Sequence, residues 1–81
     1  MKVLYFAWLR ERIGTAGEDI ETSAATVAEL VEELKQREER YTVAFSDLAS
    51  VRVAVDQEMV DYDYPITGAA EVAFFPPMTG G

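Results

Sequence analysis

The residues of this chain most suited to chemistry are its last ones. The chain runs Met78-Thr79-Gly80-Gly81 directly after Pro76-Pro77. Prolines hold a chain extended and lack the amide donors that prolong a strand, and glycine adopts backbone angles that other residues avoid. A Gly-Gly end can therefore thread a narrow channel and present the α-carboxylate of Gly81 to a second protein. The alternative interpretation is a frayed terminus of small residues.

The composition excludes most other chemistry. The 81 residues include no cysteine and no histidine, which excludes disulfides, thiolate or imidazole metal sites, and Cys or His nucleophiles. Fifteen acidic residues against seven basic ones give a net charge of -8, which disfavours nucleic acid as a partner. Four carboxylates lack the spacing of a calcium loop, so we interpret them as an acidic surface and predict no metal site. They belong to Asp56, Glu58, Asp61 and Asp63.

No apolar run in the sequence approaches the ~18–20 residues that a membrane span needs. Lys2 and the apolar run Val3–Leu9 resemble the start of a signal peptide, but Arg10, Glu11 and Arg12 interrupt the run. We therefore expect a cytoplasmic protein without a membrane partner.

The elements that must position the tail are five predicted strands. Apolar or alternating residues predict them at Val3–Trp8, Glu18–Ser23, Val51–Val55, Glu58–Val60 and Glu71–Phe75. In the first strand, alternation places Val3, Tyr5 and Ala7 toward a core. The other side of that strand then needs a second cover, such as a partner. It carries Leu4, Phe6 and Trp8.

One main helix is predicted over residues 27–38. Thr26 and Glu29 have the spacing of a capping box, and apolar residues follow at i, i+3, i+4 and i+7. Leu9–Gly14 is predicted as a helical turn that Gly14 closes. Residues 41–50 are predicted as a loop with one helical turn over 43–47. Asp56-Gln57 is predicted as the two-residue turn of a hairpin.

These elements predict an α+β domain of two layers, with one helix packed across a mixed sheet. The apolar first and last strands are expected side by side in the middle of the sheet, and a right-handed crossover through the helix would join parallel strands. This is the β-grasp (ubiquitin-like) pattern, although periodicity alone does not separate it from other small α+β topologies. We predict a domain over residues 1–76 and a flexible tail over 77–81.

The ending from Glu71 to Gly81, with its Phe-Phe-Pro-Pro-x-x-Gly-Gly pattern, closely resembles that of the small subunits of molybdopterin synthase, a family of ubiquitin-like sulfur carriers. The resemblance spans the chain. It includes Lys2–Ala7, the hairpin Val53–Gln57 and the link Tyr64-Pro65-Ile66. Asp56-Gln57 departs from the Asn-Gly type of pair that is frequent in the family.

The resemblance implies a co-substrate that is not catalytic alone. It binds no cofactor itself, and a ubiquitin-activating-like adenylyltransferase uses ATP to adenylate the Gly81 carboxylate. A sulfur donor then converts the acyl-adenylate into a thiocarboxylate. The large synthase subunit receives the tail, and the sulfur passes to a cyclic pyranopterin monophosphate. Two such rounds build the dithiolene of molybdopterin.

The resemblance also implies which residues meet partners. Gly81 and Gly80 are the reacting end, and a hydrophobic patch on the outer face of the sheet meets the large subunit in a heterotetramer of two small and two large subunits. The residues implied are Phe6, Arg10, Met59, Phe75, Pro76, Pro77, Met78 and Thr79. For Phe6, Met59 and Phe75 the alternative is an ordinary core position, and for Arg10 it is a solvated surface position.

Two other functions use the same ending. A sulfur carrier for thiamine or for tRNA thiolation shares the Gly-Gly chemistry but generally lacks the Phe-Phe-Pro-Pro segment. A ubiquitin-like modifier would instead form isopeptide bonds through Gly81. The sequence does not identify the sulfur donor, the final metal (molybdenum or tungsten), the affinity for partners or the state of self-association.

Overall fold

A mixed sheet with helices on one face forms the part of the chain that the computed structural model describes, residues 1–77. The strands are β1 (Lys2–Tyr5), β2 (Gly17–Asp19), β3 (Arg52–Val55), β4 (Glu58–Val60) and β5 (Glu71–Phe75). The helices are α1 (Trp8–Ile13), α2 (Val27–Arg37) and α3 (Glu39–Ala44), and a single 3-10 turn spans Leu48–Ser50. The predictions made for Met78, Thr79, Gly80 and Gly81 lie outside the described residues.

The strand order is β2-β1-β5-β3-β4. β1 runs parallel to β5, and the other neighbouring pairs are antiparallel. The two apolar runs at the start and end of the sequence are therefore neighbours in the middle of the sheet, as predicted. The mixed five-stranded sheet with helices confirms the β-grasp prediction.

The core lies between the helices and one face of the sheet. α2 buries the predicted stripe of Val27, Leu30, Val31 and Leu34. Phe74 of β5 is fully buried, stacks on Tyr5 at 6.2 Å between ring centroids and meets Phe45 edge-on at 4.9 Å. Because full burial of one large apolar side chain contributes roughly 1.5–3 kcal/mol, this layer supplies most of the driving force for folding.

Local signals set the start of α2 and the β3–β4 turn as predicted. The Thr26 hydroxyl oxygen accepts from the Glu29 backbone N–H at 3.3 Å, which caps α2. In the hairpin, Asp56 and Gln57 adopt φ of 48° and 71°. Positive φ at both central residues gives the turn whose twist matches that of the flanking strands.

The first two strands are shorter than predicted. Ala7 adopts φ 54°, which turns the chain out of the sheet, so β1 ends at Tyr5 and Trp8 begins α1. β2 begins one residue early, at Gly17, and ends at Asp19. Ile20, the predicted centre of that strand, still donates its N–H to the Met1 carbonyl at 2.8 Å and is buried.

More of residues 41–50 is helical than predicted, and the first helix of this region begins before residue 41. α3 starts at Glu39 because Glu38 adopts an extended conformation that separates it from α2. Tyr41, Ala44 and Phe45 are all buried, so tertiary packing stabilises a helix that its short sequence signals poorly. Within residues 1–77, no helix is long and apolar enough to cross a membrane.

Candidate functional site

The outer face of the sheet, opposite the helices, carries a row of apolar side chains. Residues in register lie on the same face of neighbouring strands. The row therefore crosses four strands in the order Leu4, Ala73, Ala54, Met59. The tall side chains stand at its ends, and the two alanines occupy its middle.

A hollow of about 650 Å³ opens over the middle of this row. Its lining is mostly apolar and comes from β1, β3 and β5 together with residues that follow these strands. The lining residues are Leu4, Phe6, Ala7, Ala54, Gln57, Glu71, Ala73, Phe75, Pro76 and Pro77. We name it the outer-face hollow. Pro76 and Pro77, the last residues that the structure describes, are therefore part of the wall of this hollow.

A strained turn positions Phe6 at one side of the hollow. The Leu9 N–H donates to the Phe6 carbonyl at 3.2 Å, which closes a turn with Ala7 at its second position. Ala7 has φ 54° and ψ -131°, the conformation that such a turn normally reserves for glycine. The Phe6 N–H donates to the Phe74 carbonyl at 3.1 Å, so β1 and β5 stay joined up to this turn.

Asp56 fixes the opposite end of the hollow. One Asp56 carboxylate oxygen accepts from the N–H groups of Ala70 and Glu71, each at 3.0 Å. The Asp56 N–H also donates to the Glu71 carbonyl at 2.9 Å. The hairpin turn is thereby tied to the first residue of β5, which sets the position of the strand that leads into the tail.

The charge around the hollow is sparse. Glu71 lies at the end near the hairpin, and Arg52 is exposed and in register with Phe75 at the end near the tail. Among the described residues, Arg52 forms no ion pair. In a chain with a net charge of -8, this face is therefore mainly apolar.

The structure brings four of the predicted partner-binding residues together. Phe6, Phe75, Pro76 and Pro77 all line the outer-face hollow. Phe6 is 48% exposed and Phe75 is half-buried, so neither occupies the core. Their role in binding stays a prediction.

Two other predicted residues stand apart from the hollow. Met59 is 65% exposed on β4, in the same row but beyond the lining. Arg10 is exposed on α1, where it lines a separate small depression with Ala7, Trp8 and Glu11. Binding by these two residues also stays a prediction.

Sequence reasoning missed the alanines of the floor. Ala54 and Ala73 are each 8% exposed because taller neighbours rise around them. The available signal was the alternation along β5, where Glu71, Ala73 and Phe75 share one face and Val72 and Phe74 share the other. The run looked uniformly apolar, and only the register with β3 places the second alanine beside the first.

Among residues 1–77, no group of three or more carboxylates, histidines or cysteines is placed to hold a metal ion.

Comparison with known proteins gives full-length matches. The model of the ThiS family matches residues 3–81. The molybdopterin synthase sulfur carrier subunit of Escherichia coli is 40% identical over 81 residues, which cover 100% of this chain and 99% of that protein. The protein of the same name from Haemophilus influenzae is 33% identical over 81 residues, with coverage of 100% and 99%.

Solved structures are similar over the same extent. A Pyrococcus furiosus protein described as molybdopterin converting factor, subunit 1, is 32% identical and has a TM-score of 0.71. The match covers 95% of this chain and 95% of that one. Small archaeal modifier protein 1 of Haloferax volcanii is 21% identical with a TM-score of 0.72, covering 96% of this chain and 97% of that one. At that identity the second likeness shows the fold alone.

Proposed function

The chain belongs to the ThiS family, and we propose that it is the sulfur carrier subunit of a molybdopterin synthase. The observation that carries the proposal is the 40% identity, over 100% of the chain, to a protein of that name. A fragment-length match would support a shared fold alone. This match instead includes the Phe-Phe-Pro-Pro segment and the terminal glycines.

In the proposed reaction the Gly81 carboxylate carries the sulfur. A carboxylate is a poor electrophile, so an adenylyltransferase first joins it to the α-phosphate of ATP and releases pyrophosphate. A sulfur donor then displaces AMP from the mixed anhydride and leaves a thiocarboxylate. The chain has no cysteine that could capture the activated carbonyl within the same molecule.

The large subunit of the synthase is the proposed recipient of the tail. Gly81 lies four residues beyond Pro77, so even a fully extended tail reaches at most about 14 Å from the domain. A partner that takes the Gly81 carboxylate must therefore approach the end of the sheet where Phe75, Pro76 and Pro77 line the hollow. We propose that this face docks on the large subunit, in a cytoplasmic assembly of two small and two large subunits.

The test is to treat the purified chain with its adenylyltransferase, ATP and a sulfur source, and then to measure intact mass. The expected product is heavier than the chain by the difference between one sulfur and one oxygen atom. Added to the large subunit and the pyranopterin substrate, it should yield molybdopterin. Deletion of Gly81 should abolish the product and leave the melting temperature unchanged, because residues 1–77 already form a buried core.

Comparison of Gly80→Ala with the matched control Thr79→Ala tests whether position 80 requires glycine. A Cβ beside the reacting carbonyl restricts the backbone and widens the tail, and a displacement of about 1 Å at a reacting centre can cost on the order of a hundredfold in rate. Thr79→Ala should retain most of the activity.

Normal product from the chain lacking Gly81 would overturn the proposal. A Gly81 isopeptide adduct would identify a modifier, and sulfur delivery to thiamine or tRNA synthesis alone would identify another carrier.

A further inference from the structure

The two alanines under the outer-face hollow occupy unfavourable positions for that residue. Ala54 and Ala73 face each other in register on β3 and β5, both interior strands of the sheet. Alanine is depleted in strands because it packs little surface against its neighbours on the sheet. The buried layer beneath does not demand small residues here, because both side chains project to the outer face, away from the core cluster.

The shape of the hollow indicates what fits it. The floor is two methyl groups, and the walls are larger apolar side chains, among them Leu4, Phe6 and Phe75. The strands beneath are paired on both sides, so the floor cannot rise to close the space. A space of about 650 Å³ with an apolar floor suits a bulky apolar group.

The position of Pro76 and Pro77 indicates which molecule supplies this group. Both form part of the wall, and Gly81 is four residues beyond Pro77, so a protein that holds the Gly81 carboxylate must approach within about 14 Å of the hollow. We propose that a bulky apolar side chain of the large subunit inserts into the hollow over Ala54 and Ala73, and that the small size of these alanines is what admits it. This assignment rests on the proposed function.

Filling the hollow tests the assignment. Ala54→Val and Ala73→Val, alone and together, add methyl groups to the floor and have the higher strand propensity of a β-branched residue. We expect the melting temperature of the free carrier to stay equal or rise. The affinity for the large subunit, measured by titration calorimetry, should fall at least about tenfold for the double variant, because overfilled packing forces strain.

The alternative is a flat apolar contact without insertion. It predicts an unchanged or higher affinity for the valine variants, since they add apolar area. Ala49→Val, at an exposed position on the 3-10 turn, is the matched control and should not change the affinity. If the double variant fails to fold, Ala73→Ser keeps the volume and places a hydroxyl on the floor. It too should weaken binding, because an apolar group gives that hydroxyl no hydrogen-bond partner.

The outcomes separate the two proposals. Unchanged or stronger binding by the valine and serine variants, with normal binding by the original chain, would overturn the assignment of the hollow alone. Failure of the original chain to bind the large subunit would overturn the proposed function and this assignment with it. Sedimentation that shows the original chain dimerising, and the valine variants not, would assign the hollow to a second copy and overturn the assignment.

Discussion

Phe74 and Phe75 are adjacent in sequence and have opposite surroundings. Phe74 is fully buried against Tyr5 and Phe45, whereas Phe75 lines the outer-face hollow. Because successive residues of a strand face opposite sides of the sheet, the two side chains divide between the core and the proposed docking face.

We expect Phe75→Ala to weaken binding to the large subunit by about 2 kcal/mol or more, as loss of a central aromatic anchor does. Its cost in stability should be clearly below the ~3–5 kcal/mol of a core phenylalanine. Phe74→Ala is the matched control and should show that full loss. Calorimetric binding and urea unfolding of both variants measure the two quantities. Equal losses of stability in the two variants would mean that Phe75 also belongs to the core.

Ala7 stores strain at the edge of the same face. Its φ of 54° is unfavourable for any residue with a Cβ, and such conformations cost on the order of 1–3 kcal/mol. We expect Ala7→Gly to raise the free energy of unfolding by about 1 kcal/mol, after the entropic penalty of glycine is subtracted. Ala28→Gly, on the exposed side of α2, is the control and should lower stability by about 1 kcal/mol. A loss of stability in both variants would show that Ala7 is unstrained.

At the scale of elements, the hairpin and the last strand are joined by one carboxylate. Asp56 provides the acceptor for two N–H groups at the start of β5 and adopts positive φ. Asp56→Ala should lower the free energy of unfolding by about 1–2 kcal/mol, because it removes both hydrogen bonds. Asp56→Asn keeps an acceptor oxygen and tolerates positive φ, so its loss should be smaller. Urea unfolding compares them, and equal losses would show that the hydrogen bonds contribute nothing.

At the scale of the whole molecule, a carboxylate and two phenols connect the edge strand to the helical layer. Glu18 of β2 accepts from the hydroxyl groups of Tyr5 at 2.8 Å and Tyr41 at 2.6 Å. Burial, and then the hydrogen bond to Glu18, raises the pKa of both tyrosines above the ordinary value of 10.0. Burial also raises the pKa of Tyr62, whose hydroxyl donates to the Val51 carbonyl at 2.7 Å.

The raised pKa values predict loss of stability at high pH. Above pH 10 the unfolded chain releases its tyrosine protons while the folded chain keeps them, so stability that is complete below pH 10 declines as the pH rises toward the folded pKa values. The slope should approach about 1.4 kcal/mol per pH unit for each tyrosine involved. Tyr5→Phe should reduce this slope, since it removes a phenol that the unfolded chain ionises while the folded chain keeps it protonated. Urea unfolding from about two pH units below the ordinary phenol pKa to about one unit above it measures the slope. A slope that is unchanged in Tyr5→Phe would show that burial of Tyr5 does not oppose its ionisation.

Much of this architecture could be predicted from the sequence because its signals are local. The cap at Thr26, the stripe of α2, the Asp56-Gln57 turn and the apolar strands each depend on residues that are neighbours along the chain. The terminal motif is also local, so the sequence alone carries the resemblance to sulfur carriers. The same dependence on neighbours explains the misses. α3 has too few residues to signal a helix, and β1 ends early because Ala7 turns the chain out of the sheet.

The position of the outer-face hollow depends on contacts between residues that are distant in the sequence. Its floor joins Ala54 and Ala73, which are 19 positions apart in the sequence, and its walls add Leu4 from the other end of the chain. Strand register between such distant segments depends on how the two faces of the sheet pack, because a slip of one residue would exchange core and surface. Local sequence signals therefore specify most strands, the main helix and the chemistry of the tail. Long-range packing specifies which side chains surround Pro76 and Pro77.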